Sequence, residues 1–235
     1  MAGYEEYAAP PALRALVACT WQDSAALDRP RLVIPDGCVD LLWQRGLGLS
    51  VVGADTGPVL HEPFGTVTYG IRLRASAAGA VLGMPASQVL DQQVALAEIW
   101  PSATAAARQL EGGVRDPFEA LTRLVAEHAS EPDPLVAAAA RLLCAHGIPV
   151  AQAAEHLGVS ERTLHRRMTA SVGYGPKMLA RVTRLRRLIA APAGPLAERA
   201  ITAGYASQSH MSDEVHRLTG LTPVRFLEDA RLTAA

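Results

Sequence analysis

The chain has 235 residues, of which 49% are hydrophobic, 19% charged and 5% aromatic. This composition is that of a globular protein and excludes a disordered or collagen-like chain. The formal net charge of −1 conceals two different parts: residues 1–134 carry 9 basic and 16 acidic side chains, whereas residues 135–235 carry 13 and 7. A basic region joined to an acidic one indicates a nucleic-acid-binding module, so we predict two domains, 1–134 and 135–235.

Several classes of protein are not expected from the sequence. The three cysteines, Cys19, Cys38 and Cys144, include no CxxC pair, which argues against a disulfide framework or a Cys-rich zinc site. No leader pattern is visible, and no uninterrupted apolar run reaches the ~18 residues that a membrane span needs. Walker, Rossmann and GxSxG signatures are also missing from the sequence. We therefore expect a cytoplasmic protein without cofactor, metal, membrane partner or enzymatic activity.

The first 75 residues predict β structure. Short apolar runs alternate with turn-forming groups such as Pro35-Asp36-Gly37. The predicted strands are 16–21, 31–34, 39–43, 49–53 and 66–73. Closely spaced short strands favour a small β-barrel or sandwich with accompanying helices.

The pattern becomes helical after Arg74. The predicted helices are 85–90, 102–110, 117–129, 135–146, 150–157, 161–171, 176–190, 196–203, 208–219 and 223–228. Glu131-Pro132-Asp133-Pro134 is the predicted linker, because two prolines within three residues end one helix and Pro134 can begin the next. The whole chain is therefore predicted to be α+β, with an all-α C-terminal domain.

One pattern occurs twice in the C-terminal part, 47 residues apart. Ser160 is followed by Leu164, Met168, Gly173 and Pro176, and Ser207 is followed at the same offsets by Met211, Val215, Gly220 and Pro223. A glycine, Gly158 or Gly204, precedes each serine. Glycine ends one helix in the left-handed conformation, and serine caps the start of the next. Each copy therefore predicts a helix, a tight turn and a second helix, about 149–172 and 195–219.

The second helix of each copy is predicted to be amphipathic. Leu164, Met168 and Val172 form one apolar stripe, and polar donors occupy the opposite face. This arrangement is typical of helix-turn-helix units that bind DNA. A helical-repeat scaffold is the alternative, since such repeats have periods of about 40–47 residues, but a stable solenoid needs more than two copies.

Three stretches resemble the DNA-binding domain of AraC/XylS-type bacterial transcription regulators. They are 154–167 (AEHLGVSERTLHRR), 203–211 (AGYASQSHM) and 218–226 (LTGLTPVRF). The similarity covers residues 147–229 and implies a regulator that binds double-stranded DNA and RNA polymerase. It also implies that residues 1–134 form a sensor domain for a small-molecule effector or for homodimerisation. The sequence leaves activation and repression open.

The resemblance implies that both recognition helices enter the major groove. The matching base-reading positions are Arg162, His165 and Arg166 in the first helix and Gln208, Ser209 and Ser212 in the second. Their chemistry fits this role, because Arg reads guanine, Gln reads adenine and Ser binds bases or phosphates. Phosphate contacts are expected from Thr163, Arg167 and Thr169. A solvated helix face is the alternative for Arg167 and His165.

The connecting helix 176–190 is predicted to place Met178, Val182, Leu185 and Ile189 inward and Arg181, Arg184 and Arg187 outward. It would span roughly 24 Å, less than the ~34 Å between successive turns of the major groove. A bent DNA site or incomplete engagement of one unit is therefore expected.

Asp213 and Glu214 depart from the family pattern, which commonly has a basic residue and Ala there. Two carboxylates at these positions would oppose binding to phosphates. The second unit is therefore expected either to bind weakly or to use Asp213 as an acceptor from a cytosine amino group.

The stretch 34–42 (IPDGCVDLL) resembles a compact N-terminal domain of unknown function that is found on some of these regulators. A ligand-responsive regulator needs a cavity, and its predicted lining is Trp21, Cys38, Trp43, Tyr69 and Arg72. Arg72 would orient an anionic ligand, although the aromatics are equally consistent with a plain core. The alternative function is a ligand-binding or catalytic N-terminal domain with a helical interaction module.

Overall fold

The computed structural model of the protein describes residues 3–24, 30–61, 65–146 and 148–228. Strands occupy the N-terminal part and helices the C-terminal part, which confirms the α+β prediction. None of the helices in these ranges is long and apolar enough to span a membrane.

The strands form two antiparallel sheets. They are β1 (Tyr4–Ala8), β2 (Val17–Asp23), β3 (Arg31–Val33), β4 (Val39–Gln44), β5 (Gly48–Val52), β6 (Val59–His61), β7 (Thr68–Leu73) and β8 (Gln93–Ala95). The larger sheet has the order β1-β2-β7-β4-β5-β8, and β3 pairs with β6. Within the described residues β1 and β8 are free edges, so the predicted barrel is wrong: the sheet is open. Helices cover one of its faces instead of strands closing it.

The large sheet has one apolar and one polar face, because side chains alternate along a strand. On β4, Leu41 and Trp43 point into the hydrophobic core, and on β7 Ile71 does the same. Their neighbours Asp40 and Arg72 point to the other face, towards the β3–β6 pair. The polar face carries the cavity described below.

The helices after residue 100 begin and end close to the predicted positions, whereas the two short helices before it were not predicted. They are α1 (Ala78–Leu82), α2 (Leu96–Ile99), α3 (Ala103–Glu111), α4 (Pro117–His128), α5 (Pro134–Arg141), α6 (Val150–His156), α7 (Glu161–Val172), α8 (Pro176–Ala190), α9 (Leu196–Ala203), α10 (Gln208–Thr219) and α11 (Pro223–Glu228). Short 3-10 helices occupy Pro11–Leu13 and Ala86–Val89, and a π-helical turn, Leu142–His146, continues α5. The segment predicted as helix 85–90 is therefore only a 3-10 turn.

The hydrophobic core consists of two clusters. The larger one joins the apolar face of the sheet to helices α1 to α7 and includes Leu164 and Met168 of α7. The smaller one joins α8 to α11 and includes Ile34 from the loop after β3. Because α7 packs into the larger cluster, the first of the repeated units is fixed to the sheet.

Candidate DNA-binding surface and ligand cavity

The first repeated unit consists of α6, a turn and α7. Gly158 has a φ of +64°, and Ser160 caps α7 with its Oγ accepting from the Thr163 N–H at 3.2 Å. Leu164, Met168 and Val172 are fully buried. The turn, the cap and the inward stripe are as predicted.

The second repeated unit consists of α9, a turn and α10. Gly204 ends α9 with a φ of +91°, and Ser207 caps α10 with its Oγ accepting from the His210 N–H at 3.1 Å. Met211 and Val215 are fully buried. Both units therefore have the predicted helix-turn-helix geometry.

The outer faces of α7 and α10 present the predicted base-reading residues to solvent. Arg162, His165, Arg166, Gln208 and Ser209 are exposed. Ser212 is half-buried, and its hydroxyl donates to the Gln208 carbonyl at 3.0 Å. Thr163 and Thr169 are half-buried on α7. An exposed guanidinium pair on a capped helix suits recognition of guanine in the major groove.

Arg167 differs from the exposed Arg162 and Arg166 of the same helix because its guanidinium is paired with a carboxylate of the protein. Its Nε donates to Asp133 Oδ2 at 2.6 Å, and its Nη2 donates to the other oxygen. Asp133 also caps α5 by accepting from the Leu135 N–H. This contact joins the predicted linker to α7 and leaves the Arg167 side chain only 37% exposed.

The prediction that Arg181, Arg184 and Arg187 of α8 face outward is wrong, because all three are half-buried and have partners within the protein. Arg184 donates to both carboxylate oxygens of Glu214, and Arg181 lies 3.2 Å from the same carboxylate. Arg187 donates to the Cys144 carbonyl at 2.6 Å. The reason is that α8 lies between the two core clusters and is covered on more than one side.

Glu214 also differs from the prediction. It is 6% exposed and points towards α8 rather than towards solvent. Asp213, next to it, is exposed on the outer face of α10. Only Asp213 is therefore placed to oppose a phosphate.

A cavity of about 120 Å³ lies on the polar face of the sheet, beneath β3 and β6. Trp21, Cys38 and Arg72 line it, together with four carboxylates, Asp23, Asp36, Asp40 and Asp55. Its apolar wall includes Val33, Ile34, Leu42 and Val52. Burial, and then the nearby Asp36, raise the pKa of the Cys38 thiol well above its ordinary value. This thiol therefore stays protonated and is a poor nucleophile.

Arg72 is surrounded by carboxylates inside the cavity. Its Nε lies 3.2 Å from Asp40 Oδ1 and 3.4 Å from Asp36 Oδ2, and its Nη1 lies 3.3 Å from Glu6 Oε1. These ion pairs neutralise its charge and occupy its donors. The structure thus corrects the interpretation of Arg72 as an anchor for an anionic ligand.

Comparison with family models decides what the repeated units are. Residues 153–229 match a helix-turn-helix domain family, and residues 5–95 match a domain of unknown function (DUF6597). The C-terminal region is an AraC-type helix-turn-helix domain. A search of curated proteins finds no match.

Solved structures show only a distant likeness. A 1.65 Å structure of ToxT from Vibrio cholerae has a TM-score of 0.44 at 9% identity, covering 96% of this chain and 98% of that chain. ToxT from strain O395 has a TM-score of 0.42 at 13% identity, covering 100% and 96%. ToxT bound to an unsaturated fatty acid has a TM-score of 0.40 at 10% identity, covering 84% and 86%. A likeness this low defines neither the fold nor the ligand of the present chain.

The predicted ligand-binding residues fall into two groups. Trp21, Cys38 and Arg72 line the cavity. Trp43 and Tyr69 lie on the apolar face of the sheet, where the Tyr69 ring is tilted against Trp43 and meets Phe118 of α4 edge to face. Strand alternation explains the separation. Trp43 of β4 pairs with Tyr69 of β7, so the two side chains share one face. Arg72 lies three residues beyond Tyr69 on β7 and therefore points to the opposite face.

Sequence reasoning did not identify Asp55 as a residue of the cavity beside the AraC-type domain. It follows β5 in a turn-forming segment, so the sequence indicated only a loop. Its burial, at 9% exposed, arises from tertiary packing around the cavity, whose lining also includes Val33 of β3 and His61 of β6.

Proposed function

We propose that the protein is a transcriptional regulator that binds specific sites in double-stranded DNA and responds to a small molecule in its N-terminal cavity. The observation that supports DNA binding most directly is the exposed pair Arg162 and Arg166 on the capped helix α7 of an AraC-type domain. In this proposal Arg162, His165 and Arg166 read bases from α7, and Gln208, Ser209 and Ser212 read bases from α10. Thr163 and Thr169 bind phosphates. Arg167 adds a weaker phosphate contact, because its guanidinium is paired with Asp133 but stays 37% exposed.

The loop after β3 supports a ligand response, because it touches both the cavity and α8. Asp36 and Cys38 line the cavity. Between them, Gly37 lies so close to α8 that an added Cβ would be 3.4 Å from Leu179 and 3.7 Å from Val182. Arg186 of α8 donates to the Asp36 carbonyl at 3.4 Å. A ligand that moves this loop would therefore act on the helix that connects the two DNA-binding units.

The two proposed functions are assigned to the acidic and the basic part of the chain. We propose residues 1–134 as the sensor and residues 135–235 as the DNA-binding part. The 15 residues of α8 span roughly 22 Å, so the bent DNA site stays a prediction, which a gel assay with permuted sites measures. RNA polymerase contact and homodimerisation are further predictions of the family resemblance.

DNA binding is tested with fragments selected from genomic DNA. Arg162→Ala and Arg166→Ala should each cost about 1–3 kcal/mol of specific binding, since each removes a base contact. Arg123→Ala is the matched control, because it removes an exposed arginine of α4, which belongs to neither helix-turn-helix unit. Fluorescence anisotropy over a salt series measures both the affinity and its salt dependence.

Two outcomes would separate the alternatives. Binding that is absent or independent of salt would contradict DNA recognition and favour a helical interaction module. A loss from Gln208→Ala equal to that from Arg162→Ala would show that both units read bases.

A further inference from the structure

The N-terminal cavity is acidic. Four carboxylates line it, and among the described lining residues Arg72 is the one guanidinium. Asp36, Asp40 and Glu6 already pair with that guanidinium. An anionic ligand would therefore meet net negative charge and no available guanidinium.

Among the described residues, none carries a positive charge that pairs with the cavity carboxylate Asp55. It is 9% exposed, lines the cavity and makes no hydrogen bond or ion pair with any residue in the described ranges. Its neighbour Thr56 donates to Asp91 instead. The Asp55 carboxylate oxygens open onto the cavity, since they are not among the fully enclosed polar atoms without a partner in the described residues. A largely desolvated carboxylate without a donor favours a positively charged partner.

The rest of the cavity suits an apolar body. Leu42 and Val52 contribute aliphatic wall, and Trp21 contributes an aromatic ring. The ring is held in place, since its Nε1 donates to Asp40 Oδ1 at 2.8 Å and Gly70 leaves the space that it fills. Tryptophan faces attract cations, and the Arg72 guanidinium already lies 5.9 Å from the centre of this ring. Trp21 therefore offers the ligand mainly apolar contact. The volume of about 120 Å³ is a little below the ~150 Å³ of a cavity that holds benzene.

We propose that the cavity binds a small organic cation, an ammonium group on an apolar body no larger than one ring, with the charge on Asp55 and the body against Leu42, Val52 and Trp21. This assignment rests on the ligand response proposed above and adds the chemical class of the effector. The cation supplies the donor that Asp55 lacks. The loop 34–38 would transmit its presence to α8.

Ammonium binding should release protons near neutral pH. Burial, and then Asp36, Asp91 and Asp40, raise the pKa of Asp55 to about 7. The titratable groups that line the cavity or act on Asp55 are Tyr4, Asp23, Asp36, Cys38, Asp40, His61, Arg72, Asp91 and Tyr174. A bound cation favours the carboxylate form of Asp55, so a proton leaves when the cation enters.

The experiment uses the full chain without DNA and three one-ring probes of similar size: benzylamine as its ammonium ion, benzyl alcohol and benzoate. Isothermal titration at pH 7, in two buffers with different ionisation enthalpies, measures affinity and proton release. We expect benzylammonium to bind more tightly than both other probes. Asp55→Asn should weaken it about tenfold to a hundredfold, the range for a hydrogen bond to a charged group, and should abolish proton release.

Glu131→Gln is the matched control, because it removes an exposed carboxylate outside the cavity. Its affinity for benzylammonium should equal that of the native chain. Circular dichroism of Asp55→Asn checks that the variant is folded. Equal or tighter binding of benzoate, an unchanged affinity in Asp55→Asn, or no saturation by benzylammonium at about 10 mM, where a millimolar ligand nearly saturates, would each overturn the proposal.

The test is independent of DNA recognition. Failure of the ammonium probe with intact DNA binding would reject the ligand class and leave the regulator. Failure of DNA binding with intact ammonium binding would reject the regulator and leave a cation-binding domain.

Discussion

Single residues in this chain have roles that their position in the sequence does not reveal. Asp213 and Glu214 are adjacent carboxylates on a recognition helix, and the sequence gives both the same expected effect on DNA. In the structure Glu214 is 6% exposed and bound by Arg184, whereas Asp213 is exposed. One residue along a helix is a turn of about 100°, which is enough to place one side chain in the interior and the next in solvent.

Removing the charge of Glu214 should destabilise the protein. Glu214→Gln would leave Arg181 and Arg184 without their carboxylate, and each of these side chains is less than a quarter exposed. We expect a loss of about 1–3 kcal/mol in the free energy of unfolding, measured by urea titration. Asp213→Asn is the control and should change stability by less than about 0.5 kcal/mol. It should instead raise DNA affinity at low salt. Equal stability of the two variants would contradict the ion-pair role of Glu214.

Asp55 makes a second prediction at this scale, for the ligand-free protein. Its pKa is about 7 in the folded chain, against an ordinary value of 3.8. Between these values the folded chain holds a proton that the unfolded chain has lost, so the contribution of Asp55 to stability falls as pH rises. Asp55→Asn should therefore gain stability over the native chain from about pH 4 to pH 7, by at most about 1.4 kcal/mol per pH unit.

The gain should level off above pH 7, because Asp55 is then ionised in both states. Urea unfolding at several pH values measures it, with Glu131→Gln as the control. A difference that stays constant across this range would show that Asp55 has an ordinary pKa.

At the scale of elements, local patterns predict helices better than they predict strands. The helices of both repeated units follow from Gly158, Ser160, Gly204 and Ser207, whose effects are local. Strands β1, β6 and β8 have no such signal. β1 carries two glutamates among five residues, and β6 and β8 have three residues each. Their pairing depends on partners distant in the sequence, and so does the cavity that β6 helps to enclose.

Contacts between elements are equally invisible in the sequence. Gly79 in α1 touches the C-terminal end of α7, and a Cβ there would lie 2.6 Å from the Ala170 carbonyl oxygen. The glycine lets the two backbones approach. It therefore helps to fix the first helix-turn-helix unit to the N-terminal part of the chain.

Gly79→Ala should destabilise the protein, although alanine favours a helix by about 1 kcal/mol over glycine. The added methyl group meets backbone, which cannot rotate away, so overpacking should cost about 1–3 kcal/mol. Gly112→Ala is the control: it also has a helical φ, of −74°, and its Cβ would make only ordinary contacts, the nearest at 3.4 Å. Thermal unfolding followed by circular dichroism compares the two. A Gly79→Ala variant as stable as Gly112→Ala would mean that α1 and α7 do not pack this closely.

At the scale of the whole molecule, the boundary between the two core clusters lies at a different place in the chain from the change in net charge. The net charge changes sign near residue 134, but the larger core cluster runs from Leu13 to Val182 and includes α7. The smaller cluster holds α9 and α10 on the second half of α8. The first unit is thus part of the sheet's core, whereas the second has a core of its own. A ligand that moves the loop 34–38 would then change the second unit relative to a fixed first unit.

Native-state hydrogen exchange in a urea series tests this division. The amides of Leu164 and Met168 in α7 should exchange with the same free energy and urea dependence as that of Leu41 in β4, because one cluster buries all three. The amides of Met211 and Val215 in α10 should exchange through a separate opening of lower free energy, since their cluster is smaller. Its urea dependence should also be weaker, because less surface is exposed. If α7 opened together with α10 while β4 stayed closed, the two helix-turn-helix units would form one body, and the loop 34–38 could move them only together.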